Sequence, residues 1–452
     1  MTSAWRAPLT FLKRLFLTNR FFGVLVALAL AYTAAFFWPV LHPGAHALAL
    51  GTAALLVVDL VLLAGGSTVA AERELPDRFS NGDDNAVQVQ LYSRSDLPLR
   101  CTVIDELPAQ LQVRDQSFTV TVPPRRERTV RYTVRPTERG VYEFGAINVY
   151  VATPLGLVER RVLVEEGAEV PVYPSFKQMQ KYEIMAASNR LEEVGVKKVR
   201  RVGHTMELDR IREYVPGDDR RAVNWKATAR RGDLMVNVYQ DERAQPVYCL
   251  LNMGRVMEMP FEEMTLLDHS INASLVMANI ALRKQDRAGL ITFSDEMGPV
   301  VPADRRTDQL HRIQERLYHL DTDFLEADYR RLATFVRSQV PRRSLLLLFT
   351  NFSALSSMER HLGSLQVLAR RHPLVVIFFE NTELTRLMET TADAATTEDV
   401  YVRGMAEKFA YEKQEIVHEL RRRGIYSILT PPDQLSVETI NKYLELKARG
   451  VI

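Results

Sequence analysis

The chain reads as a multidomain protein with three parts: an N-terminal transmembrane helical hairpin, an antiparallel β-sandwich, and a doubly wound, Rossmann-like α/β domain. Three observations predict this. Two long apolar segments lie near the N-terminus, a set of short period-two runs follows, and from Val247 onward apolar runs alternate with amphipathic segments. At 452 residues there is room for several real cores. The 58 basic and 56 acidic residues nearly cancel, so composition makes no case for nucleic acid, and none is expected as a partner.

Residues 21–66 supply the hairpin, preceded by a cytoplasmic segment over 1–20. Phe21 to Leu41 carries no charge, and Ala47 to Ala64 carries one, Asp59. Each approaches the ~20 residues of a spanning helix. His42-Pro43-Gly44-Ala45-His46 between them is expected to be a tight turn. Arg6, Lys13, Arg14 and Arg20 precede the first span and the turn has no Lys or Arg. The positive-inside rule therefore puts the soluble part in the cytoplasm, at the inner membrane. No small-residue cleavage site supports a signal peptide. Asp59, in mid-span, is expected to hydrogen-bond to the partner helix or to another copy of the hairpin rather than to act in a relay, since no basic partner lies in either span.

Residues 71–82 are polar and read as an irregular link. Over 83–172, AVQVQLYS, RCTVIDEL, SFTVTVPP, RTVRYTVRP, GVYEFGAINVYVATP and GLVERRVLV are strand candidates separated by turn-forming residues. This spacing suits a β-sandwich. Residues 173–246 read as a connector, with a helix from Phe176 to Asn189.

The α/β domain occupies 247–452. VYCLLN, AGLITF, LLLLFTN, LVVIFFE and IYSILT are continuous apolar runs of the kind found in parallel strands covered on both faces. Between them lie helices: one with the stripe Leu267, Ile271, Leu275, Ala278, Leu282, then others near 306–320, 326–339, 357–370, 399–423 and 434–448. A turn is expected through Pro299-Val300-Val301. Cys101 and Cys249 are the only cysteines and fall in different domains; both are expected to be buried thiols. Nucleotide-binding, zinc-hydrolase and serine-hydrolase motifs are absent. His204 and His269 stand alone, as surface or core residues do. Met253, Met257, Met259 and Met264 cluster, either in a core or on an adaptable binding surface.

Ligands of an open α/β sheet bind beyond the C-terminal strand ends. That edge carries Asn252, Gly254 and Val256 after one strand, Thr350-Asn351 after another, and Thr322 in the Asp321-Thr322-Asp323 loop. In this pattern residues 247–430 resemble a von Willebrand factor A domain. That family's metal site takes an Asp and two serines from the first loop, a Thr from the second and an Asp from the third. The matching positions here are Asn252, Gly254, Val256, Thr322 and Asn351. Both carboxylates are amides and both first-loop hydroxyls are gone. Mg²⁺ needs oxygen ligands with enough charge to offset its dehydration, so the resemblance implies a degenerate site without metal or other cofactor. The surrounding residues Asn252, Met253, Arg255, Thr322 and Asn351 form a candidate docking edge.

Residues 207–243 mix acids and bases around Pro216-Gly217. Tyr214, Pro216, Gly217, Asp218, Asp219, Arg220, Arg221, Asn224, Trp225 and Lys226 match, in order and spacing, the bacterial membrane proteins called domain of unknown function family 58. The resemblance covers nearly the whole chain and implies a MoxR-type AAA+ ATPase as partner. Asp218 and Asp219 are placed to face Arg220, Arg221, Arg230 and Arg231 and clamp domains together; a partner-facing patch is the second reading. A catalytic carboxylate pair is the third, although no nucleophile or His accompanies it. Arg231-Gly232-Asp233 is a chance integrin-type tripeptide.

The expected protein is thus a non-catalytic, membrane-anchored cytoplasmic adaptor working with an AAA+ ATPase on assembly or quality control of membrane or envelope components. The alternatives are metal-dependent recognition through Asn252, Thr322 and Asn351, and a hydrolase using Asp218 or Asp219.

Overall fold

A computed structural model of the chain describes residues 14–65, 69–114, 116–164, 167–187, 207–216, 218, 222–240, 244–261, 263–383 and 397–452. The chain divides into two compact units, Met1–Tyr173 and Pro174–Ile452.

In the first unit, β1 (Leu15–Leu17) runs into α1 (Asn19–Phe37), whose first turn is capped by the Thr18 hydroxyl accepting the Phe21 N–H at 3.4 Å. α2 (His42–Gly65) returns. Both helices are long and apolar enough to cross a membrane. Val26, Leu30, Phe36 and Val61 are exposed on them, a contiguous apolar surface that fits lipid better than water and is consistent with a membrane anchor. The reversal comes earlier than the sequence suggests. Trp38 and a 3-10 turn over Pro39–Leu41 make it, while His42 to His46 form the first turn of α2. Proline in a first helical turn gives up no hydrogen bond, so Pro43 begins this helix.

The strands β2 (Val69–Glu74), β3 (Phe79–Ser80), β4 (Asn85–Ser93), β5 (Leu99–Asp105), β6 (Ser117–Val122), β7 (Glu127–Val134), β8 (Gly140–Phe144), β9 (Ile147–Ala152), β10 (Val158–Val164) and β11 (Ala168–Tyr173) follow. They form sheets ordered β1-β10-β9-β5-β6, β2-β4-β7 and β3-β11-β8. Val87, Val89 and Leu91 of β4 share one core with Cys101 and Val103 of β5 and Val149 and Val151 of β9. Alternation sends most charged side chains of these strands outward, Asp105 of β5 being an inward exception. The polar link over 71–82 is corrected in part, because Val69–Glu74 is a strand. Its inward residue Arg73 hides the pattern: the buried guanidinium pairs with Asp105, which also accepts the Tyr132 hydroxyl. The single strand expected over 140–154 is two. The chain passes between sheets at Gly145, where a Cβ would meet the Glu106 carboxylate oxygen at 2.6 Å.

Asp59 takes a partner that sequence did not suggest. It lies in the final turns of α2, fully buried, and its carboxylate accepts the Thr153 hydroxyl, the Leu157 N–H at 2.8 Å and the Val158 N–H at 3.0 Å. The donors are two residues of the β9–β10 turn and the first residue of β10. Thr18 holds the same turn from the other helix, its hydroxyl donating to the Gly156 carbonyl at 2.7 Å. β1, three residues from the expected N-terminal segment, adds its edge to β10. The hairpin is therefore stitched to the sandwich at its base.

The second unit opens with α3 (Phe176–Ala187), β12 (Glu207–Glu213), α4 (Trp225–Arg231) and β13 (Met235–Gln240). Residues 174–246, read from sequence as part of a connector, belong to this unit: Tyr182 enters its core and the Ser175 N–H donates to Asn272 Oδ1 at 2.8 Å. β12 and β13 pair as a separate antiparallel ribbon.

The main sheet comprises β14 (Pro246–Asn252), β17 (Arg287–Phe293), β18 (Met297–Asp304), β19 (Leu345–Phe349), β20 (Leu374–Phe379) and β21 (Tyr426–Thr430), ordered β18-β17-β14-β19-β20-β21. A two-residue pair, β15 (Pro260–Phe261) with β16 (Met264–Thr265), precedes the first long helix. The helices are α5 (Leu266–Arg283), α6 (Gln309–Tyr318), α7 (Tyr329–Gln339), α8 (Leu355–Ala369), α9 (Thr397–Arg422) and α10 (Leu435–Ala448). Alternate residues of one strand feed opposite cores. Val247, Cys249 and Leu251 meet Ile271, Ile313 and Tyr443 on one face, while Tyr248 and Leu250 meet Leu332, Leu365 and Leu420 on the other. That two-sided burial explains why the strands read as unbroken apolar runs. The expected turn through Pro299-Val300-Val301 is instead β18, antiparallel to β17 at the edge of the sheet. Proline is tolerated there because an edge strand has one side without ladder bonds.

Candidate functional site

β14, β19, β20 and β21 run parallel, so their C-terminal ends deliver Asn252, Thr350-Asn351, Glu380 and Thr430 to a common edge. Each polar group expected there has a defined partner. Asn252 is fully buried; its amide donates to Thr350 Oγ1 at 2.9 Å and Tyr329 Oη at 3.1 Å, and its Oδ1 accepts the Gly254 N–H at 2.8 Å. Tyr329 and Thr350 hydroxyls close the triangle at 2.5 Å. Burial pushes the Tyr329 phenol up to about 12, so it is a neutral hydrogen-bonding group at ordinary pH. Thr322 Oγ1 donates to the Met253 carbonyl at 2.9 Å, joining its loop to the first. A Cβ on Gly254 would stand 2.8 Å from the Leu325 carbonyl and 3.0 Å from Ala327. A serine therefore does not fit at this position without movement.

Asn351 is engaged differently. Its Oδ1 accepts the Phe352 N–H at 3.0 Å and the Lys413 ammonium at 2.7 Å; Lys413 also donates to the Phe352 carbonyl at 2.6 Å and lies over the Phe378 ring. Burial brings the Lys413 amine down to about 8. Among the described residues no carboxylate lies within salt-bridge distance of it. Beside it opens a cleft of about 680 Å³, lined by Met259, Phe261, Phe379 and Phe409 together with the charged residues Arg255, Glu380 and Glu383. Burial pushes the Glu380 carboxyl up.

The candidate docking edge is thus corrected. Asn252 and Met253 are buried and present nothing to a partner, and Asn351 is nearly so, whereas Arg255 is exposed and Thr322 partly exposed. Val256 and Asn351 line the cleft. The methionines split the same way: Met253, Met257 and Met264 are core, and Met259 is exposed at the cleft. Sequence reasoning missed Lys413, Glu380 and Phe409. One signal was available: Ala406, Phe409, Lys413, Ile416 and Leu420 recur at helical spacing, so Lys413 interrupts an otherwise apolar stripe.

The acidic-basic block is less unified. Asp218 accepts the Val215 N–H at 2.9 Å and pairs with Arg212 at 2.7 Å, and these bonds hold its carboxyl below the usual range. Its partner is thus the strand before the turn, in place of Arg230 or Arg231. Gly217, Asp219, Arg220 and Arg221 lie outside the described residues, as does His204. Asn224 caps α4 by accepting the Ala227 N–H at 3.0 Å, and Tyr214 donates its N–H to Leu234. Pro216, Trp225 and Lys226 are exposed. Gly232 ends α4 in the left-handed conformation, an ordinary helix terminus that accounts for the Arg231-Gly232-Asp233 spelling. His269 packs edge-on against Phe261. Cys101 and Cys249 are both buried, with their thiols pushed up to about 12.

Comparison with known proteins places a match to the family model described as "Protein of unknown function DUF58" over residues 210–421. The chain is 29% identical over 223 residues to the uncharacterized protein YeaD of Bacillus subtilis, covering 48% of this chain and 53% of that protein. The match thus spans about half of the relative's length. Among solved structures, the CARDB domain of the PF1109 protein of Pyrococcus furiosus is 18% identical, covers 24% of this chain and 94% of its own, and gives a TM-score of 0.18. Proximal thread matrix protein 1 from the mussel byssus is 10% identical, covers 45% of this chain and 47% of its own, and gives 0.26. Likeness at that level carries no functional argument.

Proposed function

We propose that the chain is a membrane-anchored, non-catalytic adaptor with its soluble units in the cytoplasm. Its second unit is a von Willebrand factor A-like module that binds a protein partner without a metal ion. The partner is a MoxR-type AAA+ ATPase, and the shared task is assembly or quality control of membrane or envelope components. One observation carries the metal-free reading. The amide oxygen at the third-loop position holds a lysine ammonium, and the first-loop amide is consumed by Tyr329, Thr350 and Gly254. A hard dication would have to displace that ammonium and recruit neutral oxygens already in use. A partner-binding role is favoured by what remains beside them, an open apolar cleft with Arg255 exposed next to it.

The test is copurification of the full chain from mild detergent under nucleotide-trapped conditions. An AAA+ ATPase is expected to copurify, to persist in chelator, and to be lost with Arg255→Glu while membrane insertion is retained. Absence of the ATPase, or its release by chelator alone, overturns the reading. Orientation is checked by reporter fusions, expected active in the cytoplasm at the C-terminus and outside at His46.

A further inference from the structure

Lys413 differs from Asp286 of the same unit in how its charge is answered. Asp286, for comparison, is answered by Lys447 at 2.8 Å, by the Gln245 N–H at 3.1 Å and by the Tyr443 hydroxyl. The Lys413 ammonium has three N–H bonds to give, and its described partners are two neutral oxygens, Asn351 Oδ1 and the Phe352 carbonyl. A cation held in a part-apolar wall keeps most of its attraction for an anion, because little water screens it. Four residues earlier on the same helix face, Phe409 is 41% exposed, and Met259, which also lines the cleft, is 49% exposed. A cleft of about 680 Å³ is of the size that buries a ligand or a few peptide residues.

We propose that this cleft receives a partner peptide segment carrying an acidic side chain flanked by apolar residues, with its carboxylate bound to the Lys413 ammonium and its apolar neighbours against Met259 and Phe409. The inference rests on the reading of this edge as a protein-binding surface and names the chemistry of what binds there. Arg255 adds a second positive charge beside the same cleft, with no carboxylate partner among the described residues. Glu380 and Glu383 line the same cleft and their charge disfavours a second acidic group in the segment, so one carboxylate is the expected content.

The test is selection of a pooled library of heptapeptides, capped at both ends and varied at every position, on the full chain in detergent micelles. Peptides with one Asp or Glu between apolar residues are expected to be enriched. A selected Glu peptide should bind about ten- to a hundredfold more tightly than its Gln counterpart, the range for a charge-assisted hydrogen bond. Lys413→Gln keeps a donor for Asn351 and Phe352, so it should fold, and it should erase the Glu-over-Gln preference. Asn351→Asp gives the ammonium an internal carboxylate and should erase the preference without any loss of thermal stability. No acidic enrichment, or a preference that survives both variants, overturns the inference; selection of basic peptides does so as well. Acidic preference without ATPase copurification would overturn the ATPase partner alone, and the reverse would overturn this inference alone.

Discussion

Asp59 at the base of the hairpin and Lys413 at the sheet edge are both charges drawn out of water, and they are answered in opposite ways. Asp59 receives three donors, from Thr153, Leu157 and Val158, which engage both of its oxygens within its own unit. Lys413 receives two neutral oxygens and no described carboxylate, and a cleft lies beside it. A charge whose partners are complete is part of the framework. One left with bonding capacity next to open volume is available for a ligand, at the cost of the desolvation that burial imposes.

The comparison is sharpened first where partners are complete and charged on both sides. Arg73→Met leaves Asp105 buried against Tyr132 without its cation, and breaking such a pair costs ~3–5 kcal/mol. Thermal or denaturant unfolding of the detergent-solubilised chain should show that loss; a change below ~1 kcal/mol would mean that the pair is no framework element.

Asp59→Ala comes next. Three donors lose their acceptor, each worth ~1–3 kcal/mol when left buried and unsatisfied, so the sum is roughly 3 kcal/mol or more after relaxation. The loss should centre on the β9–β10 turn, read as faster amide exchange at Leu157 and Val158. Asp59→Asn should cost less, since its oxygen still accepts. Equal effects of the two would argue that the turn is held by packing of Leu63, Leu157 and Val158 instead.

The sheet edge gives a smaller and opposite effect. Asn252→Asp with Asn351→Asp is expected to leave the protein without Mg²⁺ or Mn²⁺ affinity in calorimetry, because Lys413 takes the new carboxylate at 351. Adding Lys413→Met is the change that should first permit measurable binding. Gly254→Ser, which completing the ligand set of a von Willebrand factor A metal site would also require, should cost stability through its contact with the Leu325 carbonyl. Micromolar binding by the unaltered chain would end the metal-free reading.

The smallest expected effect is a slope against pH. Lys413 is lowered from 10.5 to about 8 in the fold, so between those values the unfolded chain binds a proton that the folded chain has released. Stability should therefore rise with pH from about 8 to about 9. The raised thiols of Cys101 and Cys249 oppose this from about 9 and the raised phenols of Tyr132 and Tyr329 from about 10, where only the unfolded chain ionises. Lys413→Gln should make the slope less positive between about 8 and 9; an unchanged slope would assign it to another group.

The hairpin, the β-rich middle and the alternating α/β series were legible from hydrophobic period alone, because burial of one face, two faces or a whole helix circumference leaves different repeats. Helix ends came close for the same reason: the long helix expected near 399–423 is Thr397–Arg422. Local rules misled where a residue broke its class. Arg73 hid a strand by pointing inward, Pro43 marked a helix start, and Pro299 sat in an edge strand. The expectation of a metal-free edge rests on Asn252 and Asn351 standing at the positions that carry carboxylates in von Willebrand factor A domains.

Which groups meet Asn351 and Asp59 was decided only by tertiary structure. Lys413 lies 62 positions from Asn351, and Asp59 lies 94 positions from Thr153. A one-dimensional pattern reports which face of an element is apolar. It does not report which distant atoms converge on a charge, and that convergence separates a structural carboxylate from an ammonium with a bond left to give.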